Sequence, residues 1–275
     1  MFAVDCAFSV KNGSVESVVK VSGFGPLQII DTPGIWDPKR DEEELLHEIA
    51  RCLTLCAPGP HALLFVISVA ERFTKEEFEA YCALKAIFGC NINNYTIVVA
   101  TGVDRLTDDD TTLEGAFRRA EETIVEKAAP NLKKILKDVD NRYILFINRG
   151  DAATKDRQVL KLLSMVLHIC GPKPYFENDK TRDVWQKREA ELQRIIEEGS
   201  IDGQEAFKEL QRRLELGEKS GYSFLKRVVA GLGIGGLVAV AGAVVAAAPL
   251  VPSAAAGATL GAAGAAVSRR YCLVM

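Results

Sequence analysis

The stretch LQIIDTPGIWD, from Leu27 to Asp37, joins an apolar run to an aspartate, a threonine, a proline and a glycine. An apolar, β-rich run that ends in Asp-Thr-Pro-Gly is typical of a buried strand followed by a phosphate-sensing loop. In such a loop Asp31 holds Mg²⁺ through a water molecule, and the N–H of Gly34 approaches a terminal phosphate because glycine has no side chain. Asp31, Thr32 and Gly34 are therefore candidate nucleotide-binding residues. Asp-Thr-Pro-Gly is also a good turn sequence, so a plain turn is the alternative.

Further apolar runs follow, with helical patterns between them. The predicted strands are 27–31, HALLFVIS (61–68), NYTIVVAT (94–101) and RYILFIN (142–148), and the predicted helices are 41–56, 74–88 and 111–137. The runs are nearly continuous, which suits strands buried on both faces of a parallel sheet. An edge strand at 15–21 is expected to return into the first run through a turn. The alternation of strands and helices predicts a doubly wound α/β domain.

Two more groups of polar residues follow predicted strands. TGVD (101–104) comes after one strand, and Asn148-Arg149 comes after the next. An aspartate at such a place can accept two hydrogen bonds from the edge of guanine, which adenine cannot supply. Ligands of open α/β sheets bind at the carboxyl ends of the strands. Four further residues therefore become candidates for nucleotide binding: Thr101, Asp104, Asn148 and Arg149.

Composition excludes other classes of function. The net charge is −3, and the last 50 residues contain four basic residues and no acidic one, so the rest of the chain is acidic. A nucleic-acid groove needs a basic face, so we expect no nucleic-acid partner. The seven cysteines are irregularly spaced, no secretory signal is evident, and the three histidines lie far apart. These features favour reduced thiols in the cytosol and argue against a histidine metal site.

These motifs together resemble the immunity-associated nucleotide-binding GTPases, the avirulence-induced-gene type of G domain. The resemblance rests on IIDTPGIWD (29–37), APGPHALLFVISVAERFTKEE (57–77), TGVDRL (101–106) and RYILFINR (142–149). It covers about residues 2–175. It implies a Ras-like fold, binding of GTP or GDP with Mg²⁺, very slow or absent hydrolysis, and nucleotide-dependent assembly on membranes.

The resemblance also points to an interface. The family's dimer contacts lie in the region of Arg72, which makes Arg72 a candidate interface residue and implies a homo- or hetero-oligomer formed through the G domain. His61 is interpreted either as a histidine that packs at the start of a buried strand or as a contact to a neighbouring subunit or switch loop. Thr74 and Glu77 fit a capping box at the start of a helix.

The sequence departs from the family at the phosphate cradle. No G-x-x-x-x-G-K-[ST] string occurs, and Gly217-Glu218-Lys219-Ser220 lacks the glycine before the lysine. Residues 2–4 resemble the family's sequence just after its first helix. We therefore expect a sheet that lacks its first strand and its P-loop, with a gap between 27–30 and 63–67. Lys11 stands near the position of the family's switch threonine and has no oxygen for Mg²⁺.

The free energy of the missing hydrogen bonds indicates how the absence of the phosphate cradle affects nucleotide binding. Hydrogen bonds to a charged group contribute about 1.5–3 kcal/mol each, so losing about four of them removes roughly 6–12 kcal/mol. A micromolar ligand has only about 8 kcal/mol of binding free energy. We therefore expect GTP and Mg²⁺ binding to be weak or lost. Two explanations stay open: an incomplete form of a GTP-dependent switch, or a nucleotide-free membrane scaffold. No glutamine follows the DTPG loop, so no catalytic residue is assigned.

A charged helical region follows the predicted G domain. The helical period of 181–219, broken at Gly199 and Gly203, predicts two helices that pack one apolar stripe on the domain, with coiled-coil self-association as the alternative. The predicted organisation is a truncated G domain at 1–175, a charged helical extension at 176–222 and an apolar Ala/Gly-rich tail at 223–275.

The tail predicts a membrane partner. Residues 228–267 are uncharged, and the apolar run 228–251 is long enough to cross a bilayer. Lys226-Arg227 precede this run, which keeps the body of the protein cytosolic. The sequence ends in CLVM, which fits farnesylation of Cys272; with that lipid, residues 228–267 would form a hairpin. We expect anchoring at the cytosolic face of an intracellular membrane, and a soluble flexible tail is the alternative.

Overall fold

A computed structural model describes residues 15–21, 25–32, 42–106, 112–170, 175–215, 219–232 and 271–274. Its strands are β1 (Val15–Val21), β2 (Gly25–Asp31), β3 (Ala62–Ser68), β4 (Thr96–Thr101), β5 (Tyr143–Leu145) and β6 (Tyr271–Val274). Its helices are α1 (Glu42–Leu55), α2 (Lys75–Phe88), α3 (Leu113–Val125), α4 (Pro130–Asp138), α5 (Ala152–Cys170), α6 (Asp179–Gly199), α7 (Gly203–Glu215) and α8 (Lys219–Leu232). The protein is thus a mixed α/β structure in which helix predominates.

The strands form one sheet. Within the described residues its strand order is β1-β2-β6-β3-β4-β5. β1 pairs with β2 in antiparallel orientation, and every other neighbouring pair is parallel. The predicted edge strand at 15–21 and the predicted parallel sheet are both confirmed. Buried parallel strands need cover on both faces, and helices provide it here.

The largest correction concerns the centre of the sheet. The sequence predicted a gap between 27–30 and 63–67, but β6 lies there and pairs with both neighbours. Local sequence could not predict this placement, because the pairing joins residues at opposite ends of the chain. Three of the four residues of the predicted lipidation motif CLVM, Cys272 to Val274, therefore lie in a strand inside the sheet.

Three other predictions are corrected in detail. The helix predicted at 111–137 is two helices, α3 and α4, because Pro130 cannot continue a helix and instead occupies the first turn of α4. The strand predicted at 142–148 contains only the three residues of β5, and after a last hydrogen bond from the Phe146 N–H to the Ala100 carbonyl at 2.8 Å the chain leaves the sheet. The strand predicted from Asn94 begins at Thr96, after a short 3-10 helix.

The two faces of the sheet have different covers. One face belongs to a large hydrophobic cluster with buried residues of α1, α2, α3, α4, α6, α7 and α8. The other face packs on α5, through Leu162, Leu163 and Val166. Of the helices in the described ranges, α5 alone contributes to this second cluster. The second face is the less covered one, and Val66 in β3 is 45% exposed there.

The charged helices fold back on the α/β layer. Val184 and Ile195 of α6, Leu210 of α7 and Phe224 of α8 are buried in the same cluster as α1. Arg188 donates from Nη1 to the carbonyl of Ala57 at 2.7 Å. The prediction that one apolar stripe packs on the domain is confirmed.

α8 carries the chain into the apolar run, and its Phe224 and Val228 are buried in the main cluster. The predicted boundary of the tail at 223 is therefore wrong, because the first residues of that stretch pack in the core. No helix in the described ranges is both long and apolar enough to cross a membrane. Most of the run, from residue 233 onward, lies outside the described residues, as do residues 2–4, Lys11 and Gly34.

Candidate nucleotide site

The candidate residues lie along the carboxyl edge of the sheet. Asp31 ends β2, Thr101 ends β4, and Asn148 follows β5 by a few residues. This edge of a parallel sheet is where open α/β folds bind their ligands. The described candidates lie on one edge, as predicted, because the strands that precede them are parallel.

The turn after β4 aims Asp104 at this edge. Gly102 has a φ of +81°, and a Cβ there would lie 3.2 Å from Ser68 Oγ, so glycine suits both the backbone and the space. The Thr101 hydroxyl donates to the Ile67 carbonyl at 3.0 Å, and the Thr101 carbonyl accepts from the Val69 N–H at 2.9 Å. Thr101 thereby fastens β4 to β3. After the turn, a short 3-10 helix carries Asp104.

Asp104, Asn148 and Arg149 are brought together. Asp104 Oδ1 accepts the backbone N–H of Asn148 at 3.1 Å, and Oδ2 lies 3.8 Å from Arg149 Nε. The Asp104 side chain is only 11% exposed, whereas that of Arg149 is 87% exposed. The carboxylate is therefore held at a fixed place at the edge of the sheet, next to an exposed positive charge. This arrangement suits a flat polar ligand with two adjacent N–H groups.

Gln158 is a residue of this site that the sequence analysis missed. Its side chain on α5 is buried and binds both backbone groups of Ile147: Oε1 accepts the N–H at 2.6 Å, and Nε2 donates to the carbonyl at 3.3 Å. Gln158 thus fixes the segment immediately before Asn148. The signal was present, because a glutamine interrupts the apolar side of the helical stretch RQVLKLL.

The phosphate end of the candidate site is less complete. Asp31 is largely exposed, and the part of its carboxyl that is shielded from water raises its pKa. Thr32, the next residue, is half-buried. No group of three or more histidine, cysteine, aspartate or glutamate residues in the described ranges could hold a metal ion. Asp31 could contact Mg²⁺ through a water molecule if the phosphates of a bound nucleotide supplied the other ligands. The described residues do not form a magnesium site by themselves.

His61 does not belong to this site. It precedes β3 and lies at the opposite edge of the sheet, about 20 Å away at 3.3 Å per residue along the strand. Its ring contacts Tyr175 edge to face, with 6.2 Å between ring centroids. Burial lowers the pKa of His61 to about 4. These contacts favour the interpretation of His61 as a packed histidine at the start of a strand.

Arg72 lies at the carboxyl end of β3, beside the start of α2, and is exposed. The capping box predicted next to it is confirmed: Thr74 Oγ1 accepts from the Glu77 N–H at 3.2 Å, and Glu77 Oε2 accepts from the Thr74 N–H at 2.7 Å. Glu71 pairs with Arg105 at 2.9 Å, which links this loop to the turn that carries Asp104. Both partners of that pair are exposed, so it adds little stability.

Comparisons with known proteins identify the family to which this chain is similar. The model of the AIG1 family matches residues 3–196. Immune-associated nucleotide-binding protein 9 of Arabidopsis thaliana is 37% identical over 189 residues, which cover 64% of this chain and 52% of that protein. Protein 10 of the same series is 36% identical over 180 residues, covering 63% of this chain and 37% of the relative. Protein 1 is 36% identical over 159 residues, covering 56% and 68%.

This chain spans about half the length or less of the first two of these relatives. The match to the family model covers most of the chain, and it includes both ends of the candidate site, Asp31 and Arg149. The chain therefore belongs to the AIG1 family, the immune-associated nucleotide-binding type of GTPase.

Proposed function

We propose that this protein recognises guanine nucleotides through Asp104, holds their phosphates weakly, and works as a membrane-anchored switch or assembly factor. The observation that carries the proposal is the position of the Asp104 carboxylate, fixed by the Asn148 N–H at the carboxyl edge of the sheet. The names of the relatives, which describe nucleotide-binding proteins, support the same class of ligand.

Base recognition follows from the chemistry of Asp104. A carboxylate accepts two parallel hydrogen bonds, and guanine offers two adjacent N–H groups on one edge. Arg149 extends beside this carboxylate with an exposed guanidinium, whose flat face can stack on a base. Gln158 keeps the backbone before Asn148 in place. These residues bind and orient the base without taking part in hydrolysis.

Weak phosphate binding follows from the few candidate residues at the phosphate end of the site. The 275 residues contain no G-x-x-x-x-G-K-[ST] string, and Asp31 and Thr32 are the described candidates at the phosphate end. Two hydrogen bonds from guanine to the Asp104 carboxylate contribute about 1.5–3 kcal/mol each. Their sum of roughly 3–6 kcal/mol brackets the binding free energy of a millimolar complex, about 4 kcal/mol. When bound, Mg²⁺ would neutralise phosphate charge, with Asp31 as the residue that holds it through water.

The membrane part of the proposal rests on the tail. Residues 228–267 are uncharged, Lys226-Arg227 precede them, and Arg269-Arg270 follow. We propose that the part of this tail beyond α8 holds the protein at the cytosolic face of an intracellular membrane. A protein ending at Leu232, after α8, should remain in the supernatant of a vesicle pelleting assay in which the full chain pellets. Pelleting of the shortened protein with vesicles, but not in their absence, would refute the anchor.

Substitution of Asp104 tests base recognition. Asp104→Asn replaces one acceptor oxygen by a donor NH₂, which suits xanthine rather than guanine. Titrations with GDP and XDP, followed by NMR of the full chain, should show guanine preference in the wild type and xanthine preference in the variant. Glu71→Gln, an exposed change nearby, is the matched control and should leave the preference unchanged. A low-micromolar constant for GTP in the wild type would overturn the weak-binding part.

A second candidate function is a nucleotide-free membrane scaffold. One observation favours it: β6 joins β2 to β3, and α6–α8 share the main core, so the chain's own segments hold the sheet together. The exposed Arg72 would then mark an assembly surface for a homo- or hetero-oligomer. Absence of any GDP-dependent change up to millimolar concentration, with oligomers that Arg72→Glu disrupts, would favour the scaffold.

A further inference from the structure

The strands β2 and β3 are separated by one strand position. β6 occupies this position and runs parallel to both of them. We call the position between β2 and β3 the central slot. It is filled by the C-terminal residues Tyr271–Val274, which reach it from α8 through residues 233–270.

The central slot lies in the core of the protein. Leu27 of β2 and Ala62 of β3 belong to the cluster on the α5 side, whereas Ile30 and Leu63 belong to the cluster on the other side. None of these four residues is more than 3% exposed. Backbone N–H and C=O groups in such surroundings must be paired, since leaving them unpaired costs free energy comparable to a lost hydrogen bond. A strand in the central slot is therefore needed to pair the backbone groups of β2 and β3 that face it.

The register shows how the strand fits. All four residues of β6 pair with β2, from Leu27 opposite Tyr271 to Ile30 opposite Val274. Only Leu273 and Val274 also pair with β3. No described strand pairs with the rest of β3 on this side, and Val66 in that part is 45% exposed. The slot is thus longer than the segment that fills it.

The sequence of the segment suits this place. A strand buried on both faces reads as a continuous apolar run rather than an alternating one, and YCLV (271–274) is such a run. Arg269-Arg270 stand just before it, where the chain enters the sheet.

We propose that the central slot is a binding site for a short, uncharged parallel strand, and that Tyr271–Val274 of the same molecule is its ligand. The bound segment joins the β1–β2 hairpin to β3–β5, so it carries the continuity of the sheet. While it is bound, Cys272 is part of the sheet, and lipidation of its thiol requires release of the strand. Sheet completion and membrane attachment through Cys272 are alternative states.

Disulfide trapping tests the register directly. Gln28 is opposite Cys272, and neighbouring strands lie about 4.8 Å apart, within the roughly 4.4–6.8 Å between Cα atoms that a disulfide requires. Val18 is opposite Gln28 on the far side of β2, so it lies about 10 Å from Cys272, two strand spacings away. Gln28→Cys is therefore the test variant, and Val18→Cys is the matched control.

We expect mild oxidation of full-length Gln28→Cys to give an intramolecular disulfide to residue 272, identified by peptide mass, at least about tenfold more than in Val18→Cys. Gln28→Cys combined with Cys272→Ser should lack it. A disulfide yield no higher than in the control would overturn the proposal. A disulfide found only between two molecules would overturn the assignment of the ligand to the same molecule.

A second variant guards against misfolding of the first. Leu273→Pro removes an N–H from a residue that pairs with β2 and β3, whereas Ser268→Pro introduces the same residue just ahead of the strand. We expect Leu273→Pro to be digested by a protease at least about tenfold faster, since the open state is more populated. Equal digestion of Leu273→Pro, Ser268→Pro and the wild type would overturn the proposal.

Discussion

Substitution of Glu191 tests how α8 is held before the chain enters its apolar tail. The Glu191 side chain on α6 is only 4% exposed. Its Oε2 accepts from Arg227 Nη2 at 2.8 Å, and its Oε1 accepts from Arg194 Nη2. Arg227 also presents its carbonyl to Lys187 Nζ at 3.0 Å. One buried carboxylate thus connects α6 to α8.

The magnitude follows from these two hydrogen bonds. Each charge-assisted bond contributes about 1.5–3 kcal/mol. Both arginines are about half exposed, so they return to water when the carboxylate is replaced, and the cost stays below the roughly 3–5 kcal/mol of a fully buried broken pair. Glu191→Gln keeps the side-chain volume and one acceptor oxygen. We expect it to lower the free energy of unfolding by about 2 kcal/mol.

Urea unfolding followed by circular dichroism measures this difference. For a chain of this size the same loss lowers the melting temperature by roughly 4–8 °C. Glu198→Gln is the matched control, because Glu198 also pairs with Arg194, at 3.2 Å, but is itself exposed. It should change stability by less than about 0.5 kcal/mol. If Glu191→Gln is as stable as Glu198→Gln, the buried carboxylate does not hold α8 in the way described.

Three further predictions concern other parts of the fold. Because burial lowers the folded-state pKa of His61 to about 4 while its ordinary value is near 6.5, the unfolded chain takes up a proton first, so stability should fall as pH drops from 6.5 to 4. His61→Gln should remove up to about 3 kcal/mol of this dependence, measured by urea unfolding at several pH values; an unchanged slope would contradict it. Asn178 caps α6 by accepting from the Thr181 N–H at 2.8 Å, so Asn178→Ala should cost about 1–2 kcal/mol in thermal unfolding, and a loss below a few tenths would contradict the cap. A Cβ on Gly59 would lie 1.9 Å from the Phe176 carbonyl oxygen, whereas Gly203 has open space, so Gly59→Ala should destabilise by about 3 kcal/mol or more and Gly203→Ala should not. Equal melting temperatures for the two alanine variants would show that the Gly59 backbone moves freely.

Local patterns predicted much of the candidate site. The apolar run before Asp31 is β2, and the polar groups after the next strands lie at the same edge of one sheet. The prediction succeeded because a parallel sheet places every carboxyl end on one side. The capping box at Thr74 succeeded for a similar reason, since both of its hydrogen bonds join residues three positions apart.

Other features needed partners that local patterns do not identify. Gln158 was missed because its importance lies in the Ile147 backbone, which belongs to a different element. The break between α3 and α4 was missed because the apolar period continues across it, although Pro130 marks the place.

The sequence by itself determined most of the strands and helices and which polar residues follow the strands, because hydrophobic period and capping act within a few residues. Only the tertiary structure decided what fills the centre of the sheet, since Ile30 and Val274 pair across almost the whole chain. It also decided that the charged helices share the main core, through the burial of Val184 and Phe224. Strand pairing and core packing are stabilised by contacts between residues that are distant in sequence, and one stretch of sequence does not reveal its distant partner.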